Sequence, residues 1–295
     1  MRFLDVKTDY AFKKVFGSAE SKPILISFLN ALIGFPKERE VTDLVIVDPY
    51  QIPMLQGMKD TYVDVKATLA DGRKVIIEMQ VLNVKGFEQR ILYNAAKSYS
   101  RQLQEGEDYT LLNPVIALTL TDFTLFEADA LCSRFLLLEK ERFIQYRDDI
   151  ELIFFELPKF TKDEEQLVTI QDKWLYFVKN AGRLNMVPKS LDETPIREAF
   201  AIVNTAALSP EELEQQDRRH DFIRLQRGSQ AKAFEDGQAK GRAEGRASGQ
   251  AEGEQAKALV VARNLLPILD DAAIAAATGL SVEGVARLRM GTNRI

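Results

Sequence analysis

The chain has 295 residues, a 46% share of hydrophobic residues and a formal net charge of −5, which describe a globular protein with room for a sizeable core. Its only cysteine, Cys132, excludes an internal disulfide and a thiolate zinc site held by one chain. Its only histidine, His220, lies in a charged stretch typical of a solvated helix, which argues against Ser-His-Asp and Cys-His hydrolases and histidine-based zinc enzymes. Catalysis here must therefore rely on carboxylates, amides, lysines and a hard metal ion.

No segment reaches the roughly 20 uncharged apolar residues of a membrane helix, and the first residues contain no apolar signal core. We therefore expect a cytoplasmic protein with no membrane association. The acidic net charge argues against nonspecific coating of nucleic acid, but the charge is uneven, because residues 216–295 are net basic and residues 1–215 are net acidic. Any contact with DNA must use local basic surfaces.

Helix and strand patterns alternate along residues 1–160. Residues 21–32 have Pro23 near the start and Gly34 just beyond, which are start and stop signals of a helix. Residues 87–103 form a long amphipathic segment that Gly106 ends. Strand patterns occupy VTDLVIVDPY, TYVDVKATLADGRKVIIEMQV, NPVIALTLTDF, SRFLLLEKE and IELIFFEL. This alternation predicts an α/β domain with one mixed sheet flanked by helices.

The segment TYVDVKATLADGRKVIIEMQV predicts a β-hairpin whose register follows from its apolar faces, since apolar and polar residues alternate on both strands. The two apolar faces coincide when the loop has three residues, Ala70-Asp71-Gly72, with the glycine in the left-handed conformation. This register pairs Val63 with Met79, Val65 with Ile77 and Asp64 with Glu78, and it puts Gln80 next on the face of the carboxylates.

Two opposed carboxylates, Asp64 and Glu78, repel each other unless a cation or a proton lies between them. A divalent metal removes this conflict, and Mg²⁺ prefers one or two carboxylates together with water and phosphate oxygens. Gln80 is neutral and cannot act as a general base, but it can orient water or a phosphate oxygen by hydrogen bonding. The alternative is a solvated polar face on an amphipathic hairpin.

The segment after the hairpin is rich in basic residues, namely Lys85, Arg90, Lys97 and Arg101. A basic helix beside an acidic metal site suits a clamp on the phosphate backbone of DNA. We expect Arg90 to contact a phosphate or a carboxylate in the site, and Lys97 and Arg101 to contact phosphates. For Arg90, a salt bridge to Glu88 or another surface acid is the alternative.

Three further regions follow the first 160 residues. Residues 161–228 have helical patterns and predict a helical annex, in which Ser209 and Glu212 form a capping signal. Residues 229–258 carry glycines at 237, 241, 245, 249 and 253, which indicates either a flexible linker or a helix whose small-residue stripe lets a second helix approach. The second interpretation predicts a homo-oligomer.

Residues 259–295 predict two short helices in a hairpin similar to a helix-turn-helix. Arg287 and Arg289 on its second helix are candidate DNA contacts. The segment offers few amides for reading bases, so a plain dimerising or docking hairpin is the alternative.

Several segments also match a known family in order and spacing: DYAFKKVFG, SFLNALIG, VDV around Asp64, DGRKVIIEMQ, FEQRILYNAAKSYSRQL, DYTLLNPVIALTLTDF and FFELPKF. On these residues the chain resembles the Rpn family of recombination-promoting nucleases, transposase-like proteins of the PD-(D/E)XK nuclease superfamily. The resemblance spans nearly all of residues 1–160 and implies a restriction-endonuclease-like core there. It also implies metal-dependent DNA cleavage, with Mg²⁺ as the cofactor and Mn²⁺ or Ca²⁺ as alternatives.

The resemblance implies that Asp64 and Glu78 are metal ligands and that the Met79 carbonyl is a candidate further ligand. Gln80 falls where many superfamily members carry lysine, although the Glu-x-Gln form is the one that the Rpn family shows. Asp9 and Lys13 lie one helical turn apart in the N-terminal motif. They are interpreted either as a structural ion pair, which their spacing favours, or as support for the active site.

Two functions therefore compete. One is a Mg²⁺-dependent DNA endonuclease acting in DNA recombination, mobile-element biology or defence against foreign DNA. The other is a non-catalytic scaffold that bridges DNA or binds proteins and retains the nuclease fold. A scaffold does not need Asp64 opposite Glu78, so the acidic pair favours the enzyme.

Overall fold

A mixed six-stranded sheet organises the first part of this computed structural model, which describes residues 3–48, 50–51 and 61–292. In chain order the strands are β1 (Leu44–Val47), β2 (Tyr50–Gln51), β3 (Thr61–Tyr62), β4 (Val65–Leu69), β5 (Lys74–Gln80), β6 (Val115–Thr121), β7 (Cys132–Leu138) and β8 (Gln145–Glu156). The order across the sheet is β1-β4-β5-β6-β8-β7. β5, β6 and β8 run parallel, and the other neighbours in this sheet are antiparallel. β2 and β3 form a separate antiparallel pair.

Helices cover both faces of this sheet. In chain order they are α1 (Asp9–Phe16), α2 (Lys22–Ile33), α3 (Phe87–Ser100), α4 (Ile170–Asn180), α5 (Thr194–Ile202), α6 (Pro210–Leu265), α7 (Asp271–Thr278) and α8 (Val282–Thr292). α1, α2, α4 and α5 share one apolar cluster with Val65 and Ile77 of the sheet. α3 packs Phe87 and Ile91 against Ile76 in a second cluster. The prediction of a mixed sheet flanked by helices is confirmed.

The central strand β6 explains why the sheet needs cover on both faces. All seven of its residues are buried, and it hydrogen-bonds to parallel neighbours on both sides. A near-continuous apolar run such as VIALTLT is typical of a strand that packs helices on each face. β5 lies next to it, so residues of β5 are held between two neighbouring strands.

The hairpin of β4 and β5 has the predicted loop and most of the predicted register. The ladder runs from Val65 opposite Ile77 to Thr68 opposite Lys74, and Gly72 has a φ of 91°. That left-handed conformation favours glycine. A Cβ at this position would also lie 2.4 Å from Oδ1 of Asn113. Both the backbone conformation and the lack of space for a side chain therefore favour glycine here.

The chain departs from the predicted register at Asp64. The β4–β5 ladder stops at Val65, Asp64 lies at a bend, and its amide donates to the Ile77 carbonyl at 3.1 Å. Val63 therefore packs in the α3 cluster, whereas Val65 packs in the opposite one. The predicted pairs of Val63 with Met79 and of Asp64 with Glu78 were wrong as ladder pairs, because period-2 alternation breaks where a strand bends.

The long helix α6 begins with the predicted capping box. The Ser209 amide donates to Glu212 Oε2 at 2.8 Å, and the Glu212 amide donates to Ser209 Oγ at 3.2 Å. The glycines of the 229–258 repeat lie inside this helix, and no atom comes within 4 Å of an added Cβ at any of them. The tract is therefore helical, as one of the two interpretations expected, and its glycines are not used for packing within the chain.

By its internal contacts the chain divides into two compact units, Met1–Gln226 and Arg227–Ile295. The second unit contains a small apolar cluster of Ala262, Leu266, Ile274 and Val285. Asp270 caps α7 by accepting from the Ala273 amide at 2.8 Å. Among the residues that the structure describes, none of the helices combines the length and apolar character needed to cross a bilayer.

Arg289, a predicted DNA contact, forms hydrogen bonds within this second unit. Its guanidinium donates to Asp271 Oδ1 at 2.7 Å and to the carbonyls of Leu266 and Leu269 at 2.6 and 2.8 Å. These bonds engage Nε and both terminal nitrogens, which leaves few donors for a phosphate or a base. For both Arg287 and Arg289 the DNA contact stays a prediction.

Candidate active site

The bend before β4 turns the Asp64 carboxylate towards both β5 and α1. Its Oδ2 accepts a hydrogen bond from the Met79 amide at 2.7 Å, and its Oδ1 lies 3.6 Å from Lys13 Nζ. The side chain is only 12% exposed. Asp64 thus connects the strand that carries Glu78 with the N-terminal helix.

Asp9 and Lys13 of α1 belong to the same cluster. Lys13 Nζ lies 2.8 Å from Asp9 Oδ1, so the predicted ion pair is present, and it extends to Asp64. Burial raises the pKa of Asp64 well above its ordinary value, and a hydrogen bond that its protonated form donates to Asp9 raises it further. For Asp9, hydrogen bonds to Asp64 and Lys13 outweigh burial and lower the pKa. Of these two neighbouring carboxyl groups, Asp64 is therefore the one that binds a proton more readily.

Glu78 approaches this cluster from β5 and is held by α3. Its Oε1 accepts from Arg90 Nη2, which also donates to Gln80 Oε1 at 2.8 Å. The Gln80 amide nitrogen donates to the Leu82 carbonyl at 2.7 Å. Burial raises the pKa of Glu78, and the charge of Arg90 opposes this rise. Of the two expectations for Arg90, the structure shows the carboxylate contact within the site.

Unpartnered polar atoms lie on Glu78 and along α3. Its second oxygen, Oε2, is buried without a hydrogen-bond partner, and so are Arg90 Nε, both amide atoms of Asn94 and Ser98 Oγ. Arg90, Asn94 and Ser98 follow at four-residue steps along α3, so they share one face of that helix. A buried polar group left unpaired is costly, and such a concentration indicates a site for an ion, water or a polar ligand.

The start of α6 anchors the helix that carries Asp9. Glu212 accepts from both Tyr10 and Lys14, the latter at 2.6 Å, and the Thr8 hydroxyl contacts Gln216 Oε1 at 3.1 Å. Arg219 of the same helix helps to lower the pKa of Asp9. A cavity of about 80 Å³ lies between these elements and is lined by Lys7, Asp9, Met79, Gln80, Val81, Leu82, Arg219, Phe222 and Ile223.

The donor set suits a hard divalent cation. Carboxylate oxygens of Asp64 and Glu78 are the ligands that Mg²⁺ prefers, and Glu78 Oε2 is buried without a partner. Within the described ranges, no group of three or more His, Cys, Asp and Glu side chains is arranged to hold a metal by itself. Water and a substrate phosphate would therefore complete the coordination, as they commonly do for Mg²⁺.

The remaining predicted site residues lie in two different parts of the fold. The Met79 side chain is buried in the core, and its amide donates to Asp64. Lys97 on α3 and Arg101 directly after its end line a different, basic cavity, which Glu78 does not line. Asn94 was missed by the sequence reasoning, although its position one turn beyond Arg90 on the same helix face was a signal that could have found it.

The fold is an α/β fold in which a mixed sheet, with helices on both faces, holds Glu78 close to Asp64. A sequence model described as PD-(D/E)XK nuclease family transposase matches residues 6–227, and the chain belongs to this family. The match includes Asp9, Asp64, Glu78 and Arg90. No curated protein and no solved structure matches the chain significantly. Nucleases of this superfamily generally use divalent metal ions.

Proposed function

We propose that the chain is a metal-dependent DNA endonuclease that hydrolyses phosphodiester bonds, with Mg²⁺ as its cofactor and Mn²⁺ or Ca²⁺ as alternatives. The observation that carries this proposal is Glu78 Oε2, a buried carboxylate oxygen without a partner in the cluster that also contains Asp64. Family membership supports nuclease chemistry. We further propose that the enzyme acts in the cytoplasm, in DNA recombination, mobile-element biology or defence.

Asp64 and Glu78 would hold the metal, with the Met79 carbonyl as a candidate third ligand. When bound, a divalent ion supplies Lewis-acid activation of water and of the scissile phosphate. Arg90 fixes Glu78 through Oε1, so that Oε2 remains available. Gln80 is held by Arg90 and the Leu82 carbonyl, which orients its amide for hydrogen bonding to water or phosphate.

Lys13 supplies a positive charge where Gln80 cannot. Burial lowers the pKa of Lys13, but the hydrogen bonds and charges of Asp9 and Asp64 outweigh it, and the net shift is upward. Lys13 therefore stays protonated at neutral pH and cannot act as a general base. Its ammonium, close to Asp64, is suited to stabilising negative charge on a phosphate instead.

Cleavage of supercoiled plasmid tests this proposal directly. Purified protein is incubated with Mg²⁺, Mn²⁺, Ca²⁺ or EDTA, and the wild type is compared with Asp64→Asn, which keeps the side-chain shape. We expect nicking by the wild type with at least one metal, and none with EDTA or in the variant.

Equal nicking by wild type and Asp64→Asn would indicate a contaminant or a site elsewhere. The absence of cleavage under every condition would contradict the enzyme and favour the non-catalytic scaffold.

We also propose that the 229–258 tract joins copies of the chain into a homo-oligomer. The tract is helical, exposed and regularly supplied with glycines that allow close approach of another helix. Sedimentation of the full chain and of a chain ending at residue 228 measures this. The full chain should sediment as an oligomer and the shortened chain as a monomer, whereas the same subunit number in both would contradict the proposal.

A further inference from the structure

A basic cavity of about 460 Å³ lies beside the C-terminal end of α3, and neither Asp64 nor Glu78 lines it. Its lining residues are Val47, Lys66, Thr68, Lys74, Lys97, Ser98, Arg101, Gln102, Leu111 and Asn113. Four of these side chains are cationic and none is acidic. Such a composition favours an anionic ligand.

Two of the four cations in this cavity, Lys66 and Arg101, form no ion pair with the described residues, and Lys74 donates to the hydroxyl of Thr68 at 3.2 Å. Like charges brought together in a partly buried place repel, and an anion between them would remove the repulsion.

A hydrogen-bond donor also lacks a partner here. Ser98 lines the cavity, and its buried hydroxyl makes no hydrogen bond. Phosphate is an acceptor that uses several donors at once, and lysine, arginine and hydroxyl groups are its usual partners in proteins. The cavity therefore offers both the charge and the unused donor that a phosphate group requires.

The position of the cavity relates it to the carboxylates. Lys66 follows Asp64 by two residues and Lys74 precedes Glu78 by four, so the spacing along extended strands is roughly 7 and 13 Å. Arg90, near the start of α3, contacts Glu78, and Arg101, directly after the end of α3, lines the cavity. A DNA strand rises about 3.4 Å per nucleotide, which makes this separation equivalent to about two to four nucleotides.

We propose that this cavity is a phosphate subsite that holds a backbone phosphate of the DNA strand being cleaved, two to four nucleotides from the scissile bond. This inference rests on the proposed nuclease function. The subsite fixes the register of the strand relative to Asp64 and Glu78, since backbone contacts position DNA without reading its sequence.

Equilibrium DNA binding in EDTA tests the subsite without requiring turnover. Fluorescence anisotropy of a labelled duplex is measured over a series of salt concentrations for the wild type and for Lys66→Gln/Arg101→Gln. We expect the variant to bind about tenfold more weakly and its salt slope to fall by about one to two, because each lost phosphate contact lowers the slope by about one.

Two matched variants control for net charge and for folding. Lys140→Gln/Arg142→Gln removes the same charge from an exposed turn and should bind as the wild type does. Lys66→Arg/Arg101→Lys keeps both charges and should keep the salt slope. The proposed subsite would be contradicted if Lys66→Gln/Arg101→Gln kept the salt slope of the wild type. It would also be contradicted if the Lys140→Gln/Arg142→Gln control lost as much DNA affinity as that variant.

Competition by inorganic phosphate distinguishes a backbone phosphate from a free one. If the Lys66 and Arg101 substitutions abolish protection by inorganic phosphate in a thermal shift assay but leave DNA binding unchanged, the backbone assignment is overturned. Plasmid cleavage by the wild type decides the nuclease function separately, so failure of the subsite and failure of the enzyme give different results.

Discussion

Substitution of Glu78 by glutamine is expected to abolish DNA cleavage while leaving the protein at least as stable as the wild type. The variant keeps the shape of the side chain but removes the negative charge of the carboxylate that would bind the metal. Loss of metal-assisted stabilisation of a phosphate transition state is worth several kcal/mol, which corresponds to a loss of at least about 100-fold in rate.

The expected stability follows from the burial of Glu78. Its carboxylate is 11% exposed, and burial raises its pKa, so the folded state disfavours the charged form in spite of Arg90. A neutral amide avoids that penalty. We therefore expect an equal or higher midpoint in urea denaturation at neutral pH together with the loss of plasmid cleavage.

Glu88→Gln is a suitable control, because Glu88 is an exposed acid on the same helix. It should retain both cleavage and stability. Wild-type cleavage by Glu78→Gln would remove Glu78 from the site, whereas a clear fall in its stability would show that the carboxylate is needed for folding instead.

Trp174→Ala should produce the largest change in stability, a loss of about 3–5 kcal/mol in the free energy of unfolding. Trp174 is fully buried in α4, and its ring lies 5.9, 5.6 and 5.7 Å from those of Phe16, Phe28 and Phe177. Alanine would leave a large cavity among these rings. Urea denaturation followed by circular dichroism measures the loss.

Trp174→Phe separates packing from hydrogen bonding. It retains most of the aromatic volume but loses the bond from the indole nitrogen to Ser27 Oγ at 3.1 Å. We expect a smaller loss than for alanine. Val168→Ala, at an 81% exposed position, serves as the surface control and should change stability by less than about 0.5 kcal/mol. A loss below 1 kcal/mol in Trp174→Ala would contradict the packing described.

Most of the sheet was predictable because local patterns determine it. The alternation in β4 and β5 and the Ala70-Asp71-Gly72 loop led to the observed pairing of Val65 with Ile77. The apolar run of β6 predicted a buried strand, and capping residues predicted the start of α6. These features depend on residues close together in sequence, where periodicity and turn chemistry are informative.

The candidate site was only partly predictable, because its remaining contacts join distant parts of the chain. The bend at Asp64 depends on its bond to Met79 and on the cluster with Asp9 and Lys13, which no strand pattern contains. The contact of Arg90 with Glu78 requires the crossing of α3 over β5. Sequence spacing favoured a simple ion pair for Asp9 and Lys13, but the fold brings that pair to Asp64.

The bend at Asp64 divides the candidate site into a part with a rigid backbone and a part whose backbone can adjust. Glu78 and Gln80 pair with Thr119 and Thr121 of the fully buried strand β6, so their backbone opens only when the centre of the sheet opens. Asp64 lies just outside its ladder and depends on few bonds for its position. Structural adjustment during metal or substrate binding should therefore concentrate on the Asp64 side, while β5 acts as the fixed reference for the chemistry.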